Sequence, residues 1–393
     1  MGEKSLIDII ELIGGGTPRT SIPEYWNGNI PWLSVKDFNN GVRYVYQTEK
    51  HISQAGLEHS STKLLQKDDI IISARGTVGE MAMIPFPMAF NQSCYGIRGK
   101  KGINQTFLYY LLKNSIRKLK AITHGTVFDT ITRDTFSNIS VTVPEIEVQN
   151  RIAEILSALD NKIELNQKIN NNLFKQASLF FNNAVQQSNL VSYVKLDSLA
   201  DIKGGKRLPK GVKLITNPNQ HPYIRVRDLN NAIFASLSND YEYIDNETQK
   251  KISRYIVSTG DVLISIVGTV GLTAIIDHTL NKANLTENCV KLTNFRKITP
   301  EYLLLFLRSS QGAEAISKGT VGAVQLKLPI KNIQSISVPL LCAEELQALN
   351  EILSAIFSQI SINIIEMKQL ADVRDILLPH LMSGELNVSN LDI

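Results

Sequence analysis

Cysteine is scarce in this sequence. Cys94, Cys289 and Cys342 are the only three in 393 residues, and no two share the C-x-x-C spacing of a zinc or redox motif. That argues against a disulfide framework and fits a reducing cytoplasm, with free buried thiols expected. Long hydrophobic runs are missing too. None approaches the roughly 18 apolar residues of a membrane helix, and Met1-Gly2-Glu3-Lys4 leads into a short amphipathic stretch without a signal-peptide core. Catalytic signatures are equally thin. There is no Asn-Pro-Pro-aromatic motif and no Walker loop, and His51, His59, His124, His221, His278 and His380 show no ligand spacing. Three carboxylate-x-Lys triplets have the form that metal nucleases use to hold magnesium: Asp160-Asn161-Lys162, Asp201-Ile202-Lys203 and Glu366-Met367-Lys368. Two of them fall on long helices, where a solvated face explains them. No catalysis, metal or cofactor is expected of this chain.

What is present is a folded protein. Hydrophobic residues make up 43% and charged residues 20%, and 393 residues suffice for two to four domains. The net charge of +4 is unevenly spread. Residues 1–144 carry 16 basic and 12 acidic side chains and residues 190–338 carry 19 and 12, whereas residues 145–189 carry 4 and 5 and residues 339–393 carry 2 and 8. A basic globule suits a polyanion, and an acidic helix suits a protein partner.

The sequence is written twice. Leu6–Gly15 corresponds to Leu196–Gly205, and Pro31–Asn40 to Pro222–Asn231. Asp69–Ser73 followed by Gly76-Thr77-Val78-Gly79 returns as Asp261–Ser265 followed by Gly268-Thr269-Val270-Gly271. Gly125-Thr126-Val127 returns as Gly319-Thr320-Val321, and Glu154–Ala158 returns unchanged as Glu351–Ala355. The offset drifts only from 190 to 197, so this is a tandem duplication with small loop insertions.

Within each half the texture changes once. Short β-like runs come first: Asp69–Ser73, Ile139–Val143, Asp261–Ile266 and Ile333–Val338. A helical pattern interrupts them over Thr106–Leu119 and from Pro300 through Leu307. Then glycine and proline all but vanish and the period becomes helical, with Pro144 and Pro339 at the switch, just before a helix. The expected division is 1–144 domain, 145–189 helix, 190–338 domain, 339–393 helix and tail. The first helix has a seam of Ile152, Leu156, Leu159, Ile163, Asn166, Asn170, Leu173, Ala177 and Phe180. The second has Leu349, Leu353, Ile356, Ile360, Asn363, Met367, Leu370, Arg374 and Leu377. The spacing is close to 3.5 residues, a heptad seam. Asn166 and Asn363 hold equivalent positions, and a buried asparagine fixes register, so they are expected to pair with one another. A helix of roughly 40 residues spans about 60 Å, and two side by side would hold two globules apart as a ruler.

Gly14-Gly15-Gly16-Thr17-Pro18, then Tyr25–Trp32, Ser73–Gly79, Asn91-Gln92-Ser93 and Gly125-Thr126-Val127 together resemble the target recognition domain of a type I restriction-modification specificity subunit. Pro144 and Gln149–Leu156 resemble that family's exit into its first conserved helix, and the likeness runs on to Leu378–Leu386. The second half departs: Gly204-Gly205-Lys206-Arg207 lacks the Thr-Pro, and Thr286-Glu287-Asn288 replaces Asn91-Gln92-Ser93. The resemblance implies an α+β chain, with two α/β target recognition domains separated by two long antiparallel coiled-coil helices in a pseudo-two-fold duplication. It implies double-stranded DNA as ligand, each domain reading half of a bipartite site. It also implies modification subunits that bring S-adenosylmethionine and restriction subunits that bring ATP-driven translocation and magnesium-dependent cleavage. The recognition subunit of a related type II fused restriction-methylation enzyme would share this architecture, and a stand-alone nucleic-acid enzyme is the rival of another class.

Candidate DNA contacts follow from residue chemistry at loops marked by glycine or proline. Arginine suits bidentate capture of guanine and lysine suits phosphate, which nominates Arg19, Lys36, Arg75, Lys206, Arg207, Lys210, Arg225, Arg227, Lys318 and Lys327. Asn39, Asn40, Asn91, Gln92, Asn230 and Asn231 suit adenine, or turn formation. Thr17, Thr77, Thr126, Thr269 and Thr320 lie in glycine-flanked turns that could cradle phosphate or simply join strands. Trp26 and Trp32 read as core aromatics rather than stacking platforms. Helix pairing is assigned to Leu156, Ile163, Asn166, Leu353, Ile360 and Asn363.

Overall fold

The computed structural model describes residues 2–38, 43–123, 130–230, 232–322 and 325–388. It falls into two compact units, Met1–Gln167 with Ile365–Ile393 and Lys168–Ile364. Each unit therefore holds one α/β domain and stretches of both long helices.

In the first unit, an antiparallel sheet runs in the order Ile10–Gly14, Cys94–Gly99, Ile70–Ser73, Met81–Met83. Its strand Ile70–Ser73 is buried throughout. Ile70 and Ile72 pack with Phe107 and Leu108 of the helix Gln105–Thr123, and Ile71 faces Leu33, Phe38 and Phe90. Burial on both faces is why this run reads as continuously apolar rather than alternating. A second four-stranded sheet, Lys50–Ile52, Trp26–Leu33, Met88–Phe90, Leu64–Leu65, carries the loops that follow, and Gly2–Ser5 pairs with Ser140–Val143.

The second unit repeats the plan. Its five-stranded sheet runs Asp201–Gly204, Cys289–Thr293, Val262–Ser265, Thr273–Ile276, Phe234–Ala235. Val262 and Ile264 enter the core shared with the helix Pro300–Arg308, and Leu263 faces the opposite cluster with Ile224 and Leu285. Tyr223–Ile224 pairs with Asn284–Leu285, and Ser192–Lys195 with Ser337–Leu340. The fold is α+β, as the sequence indicates. Cys94 and Cys289 are buried at equivalent positions, and burial pushes each thiol up to about 12.

The first long helix spans Ile146–Gln187 and the second Ala343–Ser383. Inside each unit the two run antiparallel. In the first unit Arg374 Nη1 bonds Asp160 Oδ1 at 2.6 Å, and farther along Asn166 Nδ2 donates to Glu366 Oε2 at 2.7 Å. In the second, Asn363 Nδ2 donates to Asn170 Oδ1 at 2.7 Å and Phe174 stacks edge-on against Phe357. Leu156, Leu353 and Ile360 are fully buried and Ile163 is half-buried along this seam.

Four expectations need correction. Asn166 and Asn363 do not pair with one another: the antiparallel register sets Glu366 opposite Asn166 and Asn170 opposite Asn363. Phe180 is 46% exposed while Phe181 is buried, because a helix of 3.6 residues per turn drifts off a 3.5-residue seam over the four heptads from Ile152. Of Ile333–Val338 only Ser337 and Val338 are strand. Pro329 caps a helical turn, Ile330–Gln334, and the strand is Ser337–Leu340, with Pro339 inside it rather than beside the helix start. A two-stranded ribbon has only edge strands, which is where proline is tolerated. Finally, the second long helix holds an 18-residue window of mean hydropathy 1.4, apolar enough by composition to cross a bilayer. Isoleucine raises the mean although Gln359 and Asn363 interrupt the run; Leu353, Phe357 and Ile360 are buried within the unit, whereas Ile352, Ile362 and Ile365 are exposed.

Candidate DNA-reading loops

The loops in question are built the same way in both domains. In the first, a Cβ on Gly15 would meet the Asn91 carbonyl oxygen at 2.1 Å, so only glycine lets these two segments touch. Gly16 N–H then donates to Phe90 O at 2.9 Å, Asn91 N–H to Leu33 O at 3.0 Å, and Ala74 N–H to Ser93 O at 2.8 Å. The loops after residues 14, 33 and 73 are thereby gathered around the segment 90–94. Trp32 reinforces this: its buried ring donates Nε1–H to Gly16 O at 3.1 Å, and Trp26 donates to Arg19 O at 3.3 Å. The tryptophans are structural, as their composition reading suggests.

The second domain copies each of the backbone bonds. A Cβ on Gly205 would meet Thr286 O at 2.0 Å. Lys206 N–H donates to Leu285 O at 2.8 Å, Thr286 N–H to Ile224 O at 3.0 Å, and Ile266 N–H to Asn288 O at 2.8 Å.

The Gly-Thr-Val-Gly turns also coincide. Gly76 and Gly79 have φ of 79° and 86°, Gly268 and Gly271 of 80° and 90°, the left-handed region that glycine permits. Ser73 Oγ donates to Thr77 O at 2.5 Å and accepts from Glu80 N–H at 2.8 Å. Ser265 Oγ does the same with Thr269 O at 2.5 Å and Leu272 N–H at 2.9 Å. These serines, absent from the candidate residues, tie the turns and leave Arg75, Thr77, Gly268 and Thr269 exposed. The signal for them was the repeat itself, since both halves place serine three residues before the first glycine.

The turn after residue 33 shows the same backbone with different side chains. Ser34 N–H donates to Asp37 Oδ2 at 2.7 Å, and Arg225 N–H donates to Asp228 Oδ2 at 2.7 Å. Lys36 and Arg227 project from these turns and are exposed. In the second domain Arg225 and Arg227 meet an acid that sequence reasoning missed. Glu242 pairs with Arg225 and lies 3.3 Å from Arg227 Nη2, which also donates to Asp240 O at 3.0 Å. No motif surrounds Glu242, so only the fold reveals it. Burial pushes the Asp228 carboxyl up to about 6, against the pull of Arg227 and with the help of Glu242.

Arg207 Nε meets Glu287 Oε1 at 2.6 Å. Burial acts to raise the Glu287 carboxyl, but hydrogen bonds from Arg207, its own backbone and Thr286 outweigh it and hold the group below the usual value. Arg207, Arg225 and Arg227 line one groove of about 390 Å³, and Arg207 and Lys327 line a neighbouring one of about 730 Å³; Glu287 and Asn288 belong to both. The structure thus gathers four of the nominated cations around the segment that departs from the first-half pattern.

Other candidates stand apart. Thr269 and Thr320 line a different groove. Thr320 Oγ1 donates to Ile316 O at 2.7 Å, and Lys318 pairs with Glu314 at 2.7 Å along its own helix. Lys210 is exposed at a turn, and Lys206 Nζ lies 5.6 Å from the centroid of the Tyr255 ring. In the first domain, Thr17 Oγ1 donates to Gln92 Oε1, while Arg19 and Arg75 are exposed. Asn91 Oδ1 accepts from Ser93 N–H at 3.1 Å, a turn role, and Asn230 closes its helical turn in the left-handed conformation. Asn39, Asn40, Thr126 and Asn231 lie outside the described residues.

The described residues contain no cluster of three or more His, Cys, Asp or Glu side chains able to hold a metal. Asp160 is bound to Tyr110 and Arg374, Lys162 faces Glu366, and Asp201 pairs with Arg296.

Comparison with known proteins agrees with this geometry. The sequence profile described as the type I restriction modification DNA specificity domain matches twice, over residues 1–175 and 190–371. Across 425 aligned residues the chain is 27% identical to the type I restriction enzyme MjaIX specificity subunit of Methanocaldococcus jannaschii, covering 99% of this chain and 94% of that one. Over 165 residues it is 33% identical to the EcoR124I/EcoR124II specificity subunit of Escherichia coli, 40% of each chain. Among solved structures, the S subunit of the type I system from M. genitalium has a TM-score of 0.54 at 16% identity, with 97% and 96% covered, which shows a shared fold. That profile covers both halves of the duplication, including much of each long helix, and the chain belongs to the type I restriction-modification specificity subunits.

Proposed function

We propose that this chain is the non-catalytic, DNA-reading component of a type I restriction-modification complex, recognising a bipartite double-stranded site with one half read by each domain. The observation that carries this is the repeated loop cluster: two domains hold the same loops by the same backbone hydrogen bonds yet present different side chains. A duplicated reader needs that combination, whereas a composite active site would need unlike halves converging on one centre. The excess of basic over acidic side chains in residues 1–144 and 190–338 suits phosphate contact.

The long helices dock modification subunits, and their length sets the unread gap between the two half-sites. S-adenosylmethionine, ATP and magnesium are handled by the modification and restriction subunits, and the complex works on the nucleoid in the prokaryotic cytoplasm. Exchanging residues 1–144 for the corresponding domain of another family member, in the presence of modification subunits, is expected to change one half of the methylated motif and leave the other intact. Methylome sequencing that found both halves altered would refute the reading, as would methylation or cleavage by the purified chain alone.

A further inference from the structure

The face built around Glu287 poses an electrostatic puzzle. A surface that only neutralises phosphate has no use for a carboxylate, which repels the same polyanion. Yet Glu287 sits between two grooves lined by cations and binds Arg207, whose side chain is 81% exposed. A carboxylate there has one evident benefit: it fixes the direction in which a planar guanidinium points. Fixed aim matters most for reading a base edge, where donors and acceptors must match, whereas a phosphate contact carries no sequence information.

The first domain supplies the comparison. Position 17 stands where 207 stands, two residues after the glycine that touches the segment opposite, and position 92 stands where 287 stands. There the couple is neutral: Thr17 Oγ1 donates to Gln92 Oε1. The same two loop sites thus hold mutually bonded side chains in both domains, on matching backbones, with different chemistry.

The geometry points to this couple as a specificity determinant in each domain, with Arg207, oriented by Glu287, reading guanine and Gln92, oriented by Thr17, reading adenine. The side-chain types fit the donor and acceptor patterns of those bases in the major groove: arginine meets guanine O6 and N7, and glutamine meets adenine N6 and N7. Lys206, Lys210 and Lys327, which no carboxylate orients among the described contacts, hold phosphates. This inference rests on the bipartite-reader proposal above.

The test uses the full chain with its modification subunits, reading the methylated motif and the affinity for duplexes varied one base pair at a time. Transplanting the first couple into the second domain, as Arg207→Thr with Glu287→Gln, should replace or relax one G·C pair in the second half-site only. The reverse transplant, Thr17→Arg with Gln92→Glu, should do so for one A·T pair in the first. Arg207→Lys keeps the charge but loses the fork and should weaken binding to the cognate duplex about 10- to 100-fold while barely affecting random DNA. Lys210→Ala should weaken all sequences alike and lower the salt slope by about 1. Unchanged motifs in both transplants, or an Arg207→Lys loss shared equally by every sequence, would overturn the inference. In that event the two halves of the motif still respond separately to domain exchange. Only a motif without two separable halves would count against the underlying reading.

Discussion

At the scale of single residues, the account turns on side chains whose environment differs from that of an ordinary surface charge. Asp228 caps its own turn and contacts Arg225 and Arg227, with Glu242 beyond them. Because burial raises its pKa from 3.8 to about 6, the folded chain holds this proton more tightly than the unfolded chain does. Its contribution to stability is therefore fully present below about pH 4 and lost as pH rises through about 6. Asp228→Asn should remove that part of the pH dependence, measured as the change in urea midpoint between pH 7 and pH 5; an unaltered difference would show that Asp228 titrates normally. Much at this scale was legible in the sequence. The glycines, the tryptophans and the arginines on turns are identifiable from residue type, because their chemistry is local. Glu242 was not, since it acts across a fold from a stretch with no motif, and neither were Ser73 and Ser265, whose hydroxyls matter only once the turns close.

At the scale of elements, the two junctions between domain and long helices solve one packing problem in opposite ways. In the first unit, Asp160 accepts from Tyr110 at 2.6 Å and from Arg374, and Arg43 reaches Glu164 at 3.1 Å. At the corresponding place in the second unit, Phe357 packs against Phe174 and Phe234. Removing Asp160 leaves the largely buried Arg374 only the exposed Asp375 as counter-charge, so Asp160→Leu should cost about 3 kcal/mol. Asp160→Leu with Arg374→Leu should recover most of that, as apolar replacement of a whole buried pair often does. Denaturant titration that found the double variant as unstable as the single one would contradict this account of the junction. The seam itself was visible as a heptad pattern, and its burial follows Leu156, Leu353 and Ile360 closely. The asparagine partners were not visible, because spacing along one helix says which residues face inward but not which register the antiparallel neighbour adopts. The stretch near Ile333 has the pattern of a strand for a related reason: Pro329 starts a helical turn there that apolar alternation cannot distinguish from a strand.

At the scale of the whole molecule, duplication is the organising fact, and it was legible at once because repetition needs no structural interpretation. It gives two readers on one chain, each with the same loop scaffold and its own side chains. The proposed consequence is that what is read and how far apart it is read are separable properties, the first belonging to the loops and the second to the helices. Inserting one heptad after Gln167 and one after Ile364 keeps the a/d seam in phase and both loop clusters untouched. Mapping the methylated motif of that variant beside the parent is the most direct check. The account predicts two half-sites of unchanged sequence with a longer unread gap between them. The same gap, or new bases within either half, would contradict it.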